Sequence, residues 1–207
     1  MPNLAPLGQA ALIHERVRLE PLSDQHLEPL RTACAQDPDI WEIYPVSMLG
    51  VHFNPAAAFL VSDAGRPGFA VIDRQTHTVV GMTRFINPDE HGVVEIGGTY
   101  IAPSVRGTGF NAGMKTLLLD HAFDCGYRKV EFRVDTRNTR SMAAVLKLGA
   151  TQEGVLRKNR ITWTGYERDT AVFGLLREEW RGEARRGRTM NYPVASSFSC
   201  SPSQGRK

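Results

Sequence analysis

Val93-Val94-Glu95-Ile96-Gly97-Gly98-Thr99-Tyr100-Ile101 is a run of β-branched and aromatic residues broken by a glycine pair. Pro103 ends it, because proline donates nothing to a ladder. Arg106-Gly107-Thr108-Gly109-Phe110-Asn111 follows, and Met114, Leu117, Leu118, His121, Ala122 and Cys125 then recur at helical spacing. The stretch predicts a strand, a glycine-bearing turn and a helix. Glycines at 107 and 109 let the backbone approach a ligand closely, and the free N–H groups of the helix's first turn favour negative charge. Two readings follow from this stretch alone: a phosphate or pyrophosphate site, or an ordinary strand-to-helix turn. Arg106 puts a permanent cation at the lip of the turn. The Gly97-Gly98 pair would weaken an ordinary strand, so it predicts a bulge or a splay; close packing of a neighbouring helix is the alternative.

Outward from this centre, 207 residues with 42% hydrophobic content suit one domain with a full core. The net charge of +3 is concentrated at the C-terminal end. Residues 181–207 hold six basic residues and one acidic one, leaving 19 basic against 21 acidic in residues 1–180. A near-neutral body argues against a nucleic-acid-binding face. Cys34, Cys125 and Cys200 are widely spaced, with no CxxC or histidine-rich pattern, which predicts reduced thiols and no metal site. No apolar segment reaches membrane-spanning length and no leader pattern opens the chain, so the expectation is a cytoplasmic protein without a membrane partner, monomeric or homodimeric. The expected division is a catalytic domain over 1–180 and a basic, disordered tail over 181–207.

Val17 to Leu22 alternates like a strand, and Ser23-Asp24 caps a helix bearing Leu27, Leu30 and Cys34, which Pro38 stops. Ile40-Trp41-Glu42-Ile43-Tyr44 is too aromatic for a plain linker, so its rings either plug the core or line a pocket. Asn54-Pro55 predicts the N-cap and first residue of a helix running to about Asp63. Phe69–Asp73 and Thr78–Ile86 read as strands joined by a polar turn, so an antiparallel meander precedes the glycine turn. Gly107-Thr108-Gly109-Phe110-Asn111-Ala112 satisfies G-x-G-x-x-A, but a dinucleotide-binding turn belongs to repeated βαβ units, and the meander speaks against that. Lys129–Asp135 predicts a strand parallel to the central one, joined by a right-handed crossover. Asn138 or Thr139 then opens a helix with Met142, Val145, Leu146 and Leu148 on its buried side, closed by Gly149. Gln152–Trp163 and Tyr166–Leu176 form a final hairpin.

Arg106-Gly107-Thr108-Gly109 with its helix, Asp135-x-x-Asn138-x-x-Ser141, and Lys147-Leu148-Gly149-Ala150 together resemble the GNAT superfamily of acetyl-CoA-dependent N-acetyltransferases. The closer likeness is to its RimJ/RimL-like branch, over roughly residues 12–180. The resemblance implies an α+β fold with a mixed, mostly antiparallel splayed sheet of about seven strands and about four helices. It implies that acetyl-CoA lies in the splay. Thr99, Tyr100 and Ile101 would pair with pantetheine through their backbone; Arg106, Gly107, Thr108, Gly109, Phe110 and Asn111 would hold the pyrophosphate; Asn138 would bond the pantetheine arm, cap its helix, or both.

Acetyl transfer needs a neutral amine, a polarised thioester carbonyl and a stabilised leaving thiolate. A backbone N–H freed at Gly97-Gly98 is the candidate for the carbonyl. Many family members carry a tyrosine seven residues after the asparagine, where this chain has Val145. The RimL-like branch is thought to use a serine three residues after it, which implies Ser141; a helix serine bonding local backbone is the alternative. The branch's glutamate near the position of Arg160 is absent, since the run is Arg157-Lys158-Asn159-Arg160. Glu95 is the first substitute as base, with His91 and Asp169 after it, and a structural carboxylate paired to an arginine is the competing reading of Glu95. Trp41, Tyr44, Arg160 and Trp163 are the acceptor-side candidates. The basic run suggests an acceptor with an acidic group, against the commoner solvated strand face. The expected acceptor is a primary amine, either a protein N-terminus or a small metabolite or antibiotic amine. A sensor that binds acyl-CoA without turnover is the rival from another class, and thiol release discriminates the two.

Overall fold

The computed structural model describes residues 3–62 and 65–187. Eight strands form one sheet: β1 (Leu12–Ile13), β2 (Val17–Pro21), β3 (Gly68–Asp73), β4 (Thr78–Ile86), β5 (Val93–Ile101), β6 (Lys129–Asp135), β7 (Thr151–Ile161) and β8 (Glu167–Leu176). Their order across the sheet is β1-β2-β3-β4-β5-β6-β8-β7. Every pairing is antiparallel except β5 with β6. Five helices accompany it: α1 (Leu27–Cys34), α2 (Phe53–Ser62), α3 (Phe110–Asp124), α4 (Thr139–Leu146) and α5 (Arg177–Gly187).

Strand alternation sorts the side chains into two cores. Val94, Ile96, Val130, Phe132, Ala171 and Phe173 pack with Met114, Leu118 and Ala122 of α3 and Val145 of α4. Met82 and Tyr100 face the other way, onto Leu30, Cys34, Trp41, Phe53 and Ala57. The shared face of Met82, Arg84, Glu95 and Arg133 is therefore the α1/α2 face, opposite α3.

The sheet is interrupted at the central pair. β5 and β6 run parallel only from Val93↔Lys129 to Glu95↔Glu131, and the ladder stops there. On its other edge β5 bulges against β4, since Met82 faces Tyr100 while Arg84 faces Gly97. Gly98 is the extra residue and takes φ +55°, a conformation glycine adopts without a Cβ penalty. The glycine pair thus marks a bulge at the point where the two parallel strands part.

Several boundaries differ from the sequence expectation. The mixed, mostly antiparallel α+β architecture is as expected, and the described residues hold eight strands and five helices where about seven and about four were expected. β1 has only two residues, too few to show an alternation, and α5 is built mostly of charged residues that carry no apolar period. α5 also continues beyond Trp180, to Gly187; the rest of the expected tail, 188–207, lies outside the described residues. Asn54 lies inside α2 instead of capping it, because a turn of 3-10 helix, Gly50–His52, leads into Phe53; its side chain accepts from Arg31 at 2.6 Å. Leu146 is 51% exposed, not buried, while Val145 takes the core position.

Candidate active site

A cavity of about 1040 Å³ opens where β5 and β6 separate. Gly107, Gly109 and Asn111 line one end of it, from the turn before α3. Gly107 and Gly109 have φ of +75° and +80°, and a Cβ added to either would meet nothing within 4 Å. That is an open cradle at the N-terminus of a 15-residue helix, fit for a diphosphate. Thr108 and Phe110 are not in the lining. The Thr108 hydroxyl closes the turn onto the Val105 carbonyl at 2.8 Å, and the Phe110 ring is buried in the core. Arg106 is held by Asp37 and by the Ile101 carbonyl, so it braces the turn; its Nη2 stays buried with no hydrogen-bond partner.

The edge of β5 is also partly occupied. The carbonyl of Thr99 accepts from Tyr44 Oη at 2.6 Å, and that of Ile101 accepts from Arg106 Nε at 2.9 Å. Tyr100 turns its side chain into the core, where its hydroxyl donates to Ala33 O at 2.7 Å. Burial pushes the Tyr44 hydroxyl well above its ordinary range, so it stays a neutral donor. Across the cleft Asn138 caps α4 by accepting from Ser141 N at 3.0 Å, and both residues line the cavity. The Ser141 hydroxyl itself has no hydrogen-bond partner among the described residues.

Glu95 sits at the last rung before the strands part. It is 8% exposed, faces Arg133 at 3.6 Å, and its Oε2 is buried without a hydrogen-bond partner. Burial raises its carboxyl above the ordinary value, and Arg133 and Arg160 pull it back only in part. Glu95 is therefore a carboxylate beside an arginine, as one of its two readings had it, and its Oε2 keeps a lone pair outside any hydrogen bond. His91 and Asp169 are not in the cavity. His91 lies exposed in the turn before β5, and Asp169 accepts from Lys158 N at 2.7 Å across the bulge in β7.

Sequence reasoning missed Lys115. It lies on α3, 7% exposed, with Nζ donating to Thr99 Oγ1 at 2.9 Å and 5.5 Å from the Phe132 ring centroid. Thr99 Oγ1 bonds Thr83 Oγ1 in turn, at 2.8 Å. Burial lowers the Lys115 amine to about 7, against a smaller opposing pull from Glu95. A lysine between the buried Met114 and Leu118 on a helix otherwise apolar on that side was the available signal.

The 38–52 segment and the β7–β8 hairpin close the far side. Trp41 is fully buried, donates to Cys34 O, and receives the indole N–H of Trp163 on its own carbonyl at 2.7 Å. Trp163 is half-exposed over the cavity, 5.4 Å from the His52 ring. Trp41 thus both plugs the core and floors the pocket. Arg160 lines the cavity, whereas Lys158 pairs with Glu167 in solvent at 2.6 Å. No group of three or more His, Cys, Asp or Glu among the described residues could hold a metal ion, and no helix among them is long and apolar enough to cross a membrane.

Two parallel strands that part over a cavity, with a glycine cradle at the helix that joins them, form the frame of an enzyme that uses an acyl-CoA thioester. Comparison with known proteins agrees. The acetyltransferase (GNAT) domain family matches residues 16–151. The fold superposes on a GCN5-related N-acetyltransferase from Brucella melitensis with a TM-score of 0.79, 27% identity, and coverage of 87% of this chain and 85% of that one. A protein assigned to the GNAT acetyltransferases from Chromobacterium violaceum gives 0.81, 31%, 86% and 92%. A spermidine N-acetyltransferase from Vibrio cholerae, solved with CoA and spermine, gives 0.68, 19%, 81% and 99%, which is a likeness of fold. The chain belongs to the GNAT family and is an acetyl-CoA-dependent N-acetyltransferase.

Proposed function

We propose that the chain transfers acetyl to a primary amine of the RimJ/RimL-like kind, a protein N-terminal α-amine, by direct attack in a ternary complex with Glu95 as base. The observation that carries this is the buried Oε2 of Glu95, which faces Arg133 Nε at 3.6 Å but accepts no hydrogen bond, at the rung where β5 and β6 part. A carboxylate raised by burial accepts a proton near neutral pH better than an ordinary one.

The cofactor supplies the acetyl group as an activated thioester. Gly107 and Gly109 would cradle its diphosphate through backbone N–H groups, with Asn111 beside them. Since the Thr99 and Ile101 carbonyls are already engaged, the N–H side of this edge is what remains for the pantetheine arm. Asn138 and Ser141 would flank that arm from α4. Glu95 Oε2 takes the proton the attacking amine must lose. The freed Ser141 hydroxyl and the Lys115 ammonium are the two proton donors on the cofactor's side of the splay. Trp163, with Trp41 and Tyr44 beneath it, would cover the acceptor and exclude water.

No acyl-enzyme is formed in this scheme. Burial pushes the Cys34 thiol up to about 12, which leaves it protonated and unreactive. Thiol release from acetyl-CoA with peptides bearing free N-termini tests the proposal, and Glu95→Gln should reduce it about 10²-fold or more. Unchanged turnover in that variant would remove Glu95 from the mechanism.

A further inference from the structure

The antiparallel ladder sets Arg160 directly opposite Arg168. Like charges facing each other on adjacent strands destabilise a sheet. Here one of the two is buried: Arg168 is 6% exposed, and burial lowers its guanidinium; Asp135 and Glu95 pull it back only in part, and Arg160 adds to the lowering. The nearest carboxylate relieves the pair only in part. Asp135 Oδ2 lies 3.8 Å from Arg168 Nε, but Asp135 already accepts from Arg137 through Nε at 3.0 Å, Nη2 at 2.8 Å and the backbone N–H at 2.9 Å. Arg160 has no hydrogen bond or ion pair among the described residues. Arg168 Nε and Arg133 Nε are buried donors with no hydrogen-bond partner.

These three arginines share one sheet face with Glu95 and line the same cavity. Across the whole lining, nine lysine and arginine residues stand against two carboxylates, Glu95 and Asp135. Arg106, Arg140 and Lys147 lie on the side of the glycine turn and α4, where the cofactor's phosphates belong. Around Glu95, Arg133 is shared between Glu95 at 3.6 Å and Glu131 at 3.3 Å, and Arg168 reaches only Asp135, so Arg160 is the member of the three without a carboxylate partner among the described residues.

We infer that Arg160, Arg168 and Arg133 form an anion subsite that holds a carboxylate or phosphoryl group of the acceptor and so presents its amine to Glu95. The inference rests on the acetyltransferase reading of the cavity and adds the class of substrate: an amine that carries an anion. A guanidinium pair offers parallel N–H donors to either oxyanion, and an anion placed between Arg160 and Arg168 turns their repulsion into two attractions. A polycationic amine is disfavoured by the same charges.

Two experiments test this, the first on the protein saturated with CoA and the second with acetyl-CoA as donor. Calorimetric titration with inorganic phosphate, the cofactor site being filled, should show binding that weakens at least about tenfold in Arg160→Gln and is unchanged in Arg74→Gln, a surface control of equal charge loss. Arg160 is exposed on a strand end, so its removal should leave the fold intact, and far-ultraviolet circular dichroism checks this. Separately, thiol release is compared for O-phosphoethanolamine against ethanolamine, and for glycyl-aspartate against glycinamide. The anionic member of at least one pair should win by about tenfold or more in kcat/KM, and lose that advantage in Arg160→Gln. The winning pair tells a phosphoryl acceptor from a carboxylate one. Absent phosphate binding, equal phosphate binding in parent and Arg160→Gln, or an acceptor panel that is turned over without preference for the anion, overturns the subsite. If phosphate binds through Arg160 but no amine of any kind is acetylated, the subsite stands and the proposed amine acceptor falls.

Discussion

Replacing Lys115 with methionine exchanges a buried amine for an unbranched apolar chain that can fill nearly the same space against Phe132. In the unfolded chain a lysine keeps its proton to about 10.5; in the fold, burial brings the amine down to about 7. Between those values the unfolded state binds one more proton than the native state, so the stability of the parent protein rises with pH across that window. Below it the native state carries the full penalty, at most about 5 kcal/mol at about 1.4 kcal/mol per pH unit. The variant loses the bond to Thr99, about 1 kcal/mol, and Thr99 keeps its bond to Thr83. Urea unfolding at pH 6.5 should therefore find Lys115→Met more stable by about 3–4 kcal/mol, with the gain falling to about zero by pH 9.5. Turnover should fall by about tenfold or more, because a proton donor beside the cofactor is gone. A variant that is less stable at pH 6.5, or whose gain does not change with pH, would refute the reasoning from burial.

Other outcomes follow from the same geometry. The raised carboxyl of Glu95 places the acid limb of kcat/KM above the usual carboxylate range of about 4.3, and Glu95→Gln should abolish that limb along with most of the rate; a profile whose limb survives the substitution assigns it elsewhere. Ser141→Ala should lower kcat with little change in acetyl-CoA affinity, since its hydroxyl holds nothing else in place; equal losses in both would make it a binding residue. Trp163→Ala removes the indole that bridges to the Trp41 carbonyl and should raise the acceptor KM more than it lowers kcat, measured by thiol release. Cys34→Ala should leave turnover within about threefold, because a thiol held near 12 is no nucleophile.

The central features of the fold were legible because each has a local cause. The glycine pair predicted a bulge, and Gly98 occupies it; the turn at 107–109 and the parallel crossover into β6 followed from punctuation and periodicity. Asn54-Pro55 misled, because the preceding residues Gly50–His52 already wind into the helix and no local rule sees that tertiary choice. Within the site, Glu95 could be named from its place beside the glycines, but the buried oxygen that faces Arg133 without a hydrogen bond could not. Arg106 shows the opposite case: its position at the turn was clear, while Asp37, distant in sequence, decides where the guanidinium goes. Lys115 is a single charge on a helix in the sequence, and only the packing of Phe132 and Thr99 around it shows that it is buried. The opposition of Arg160 to Arg168 depends on the bulge around Lys158, φ +46°, which shifts the hairpin register by an amount no pattern in the strand announces.

Acetyl-CoA in the splay, with its diphosphate on the turn before α3, is the arrangement every proposed step requires. Calorimetric titration of acetyl-CoA into the parent protein and into Gly109→Asp tests this most directly. The substitution puts a carboxylate where the backbone should meet phosphate, at φ +80°, a conformation aspartate tolerates better than most residues. Binding by the parent and its loss in a folded Gly109→Asp is the predicted result. Equal affinity in both proteins would place the cofactor elsewhere and contradict the account.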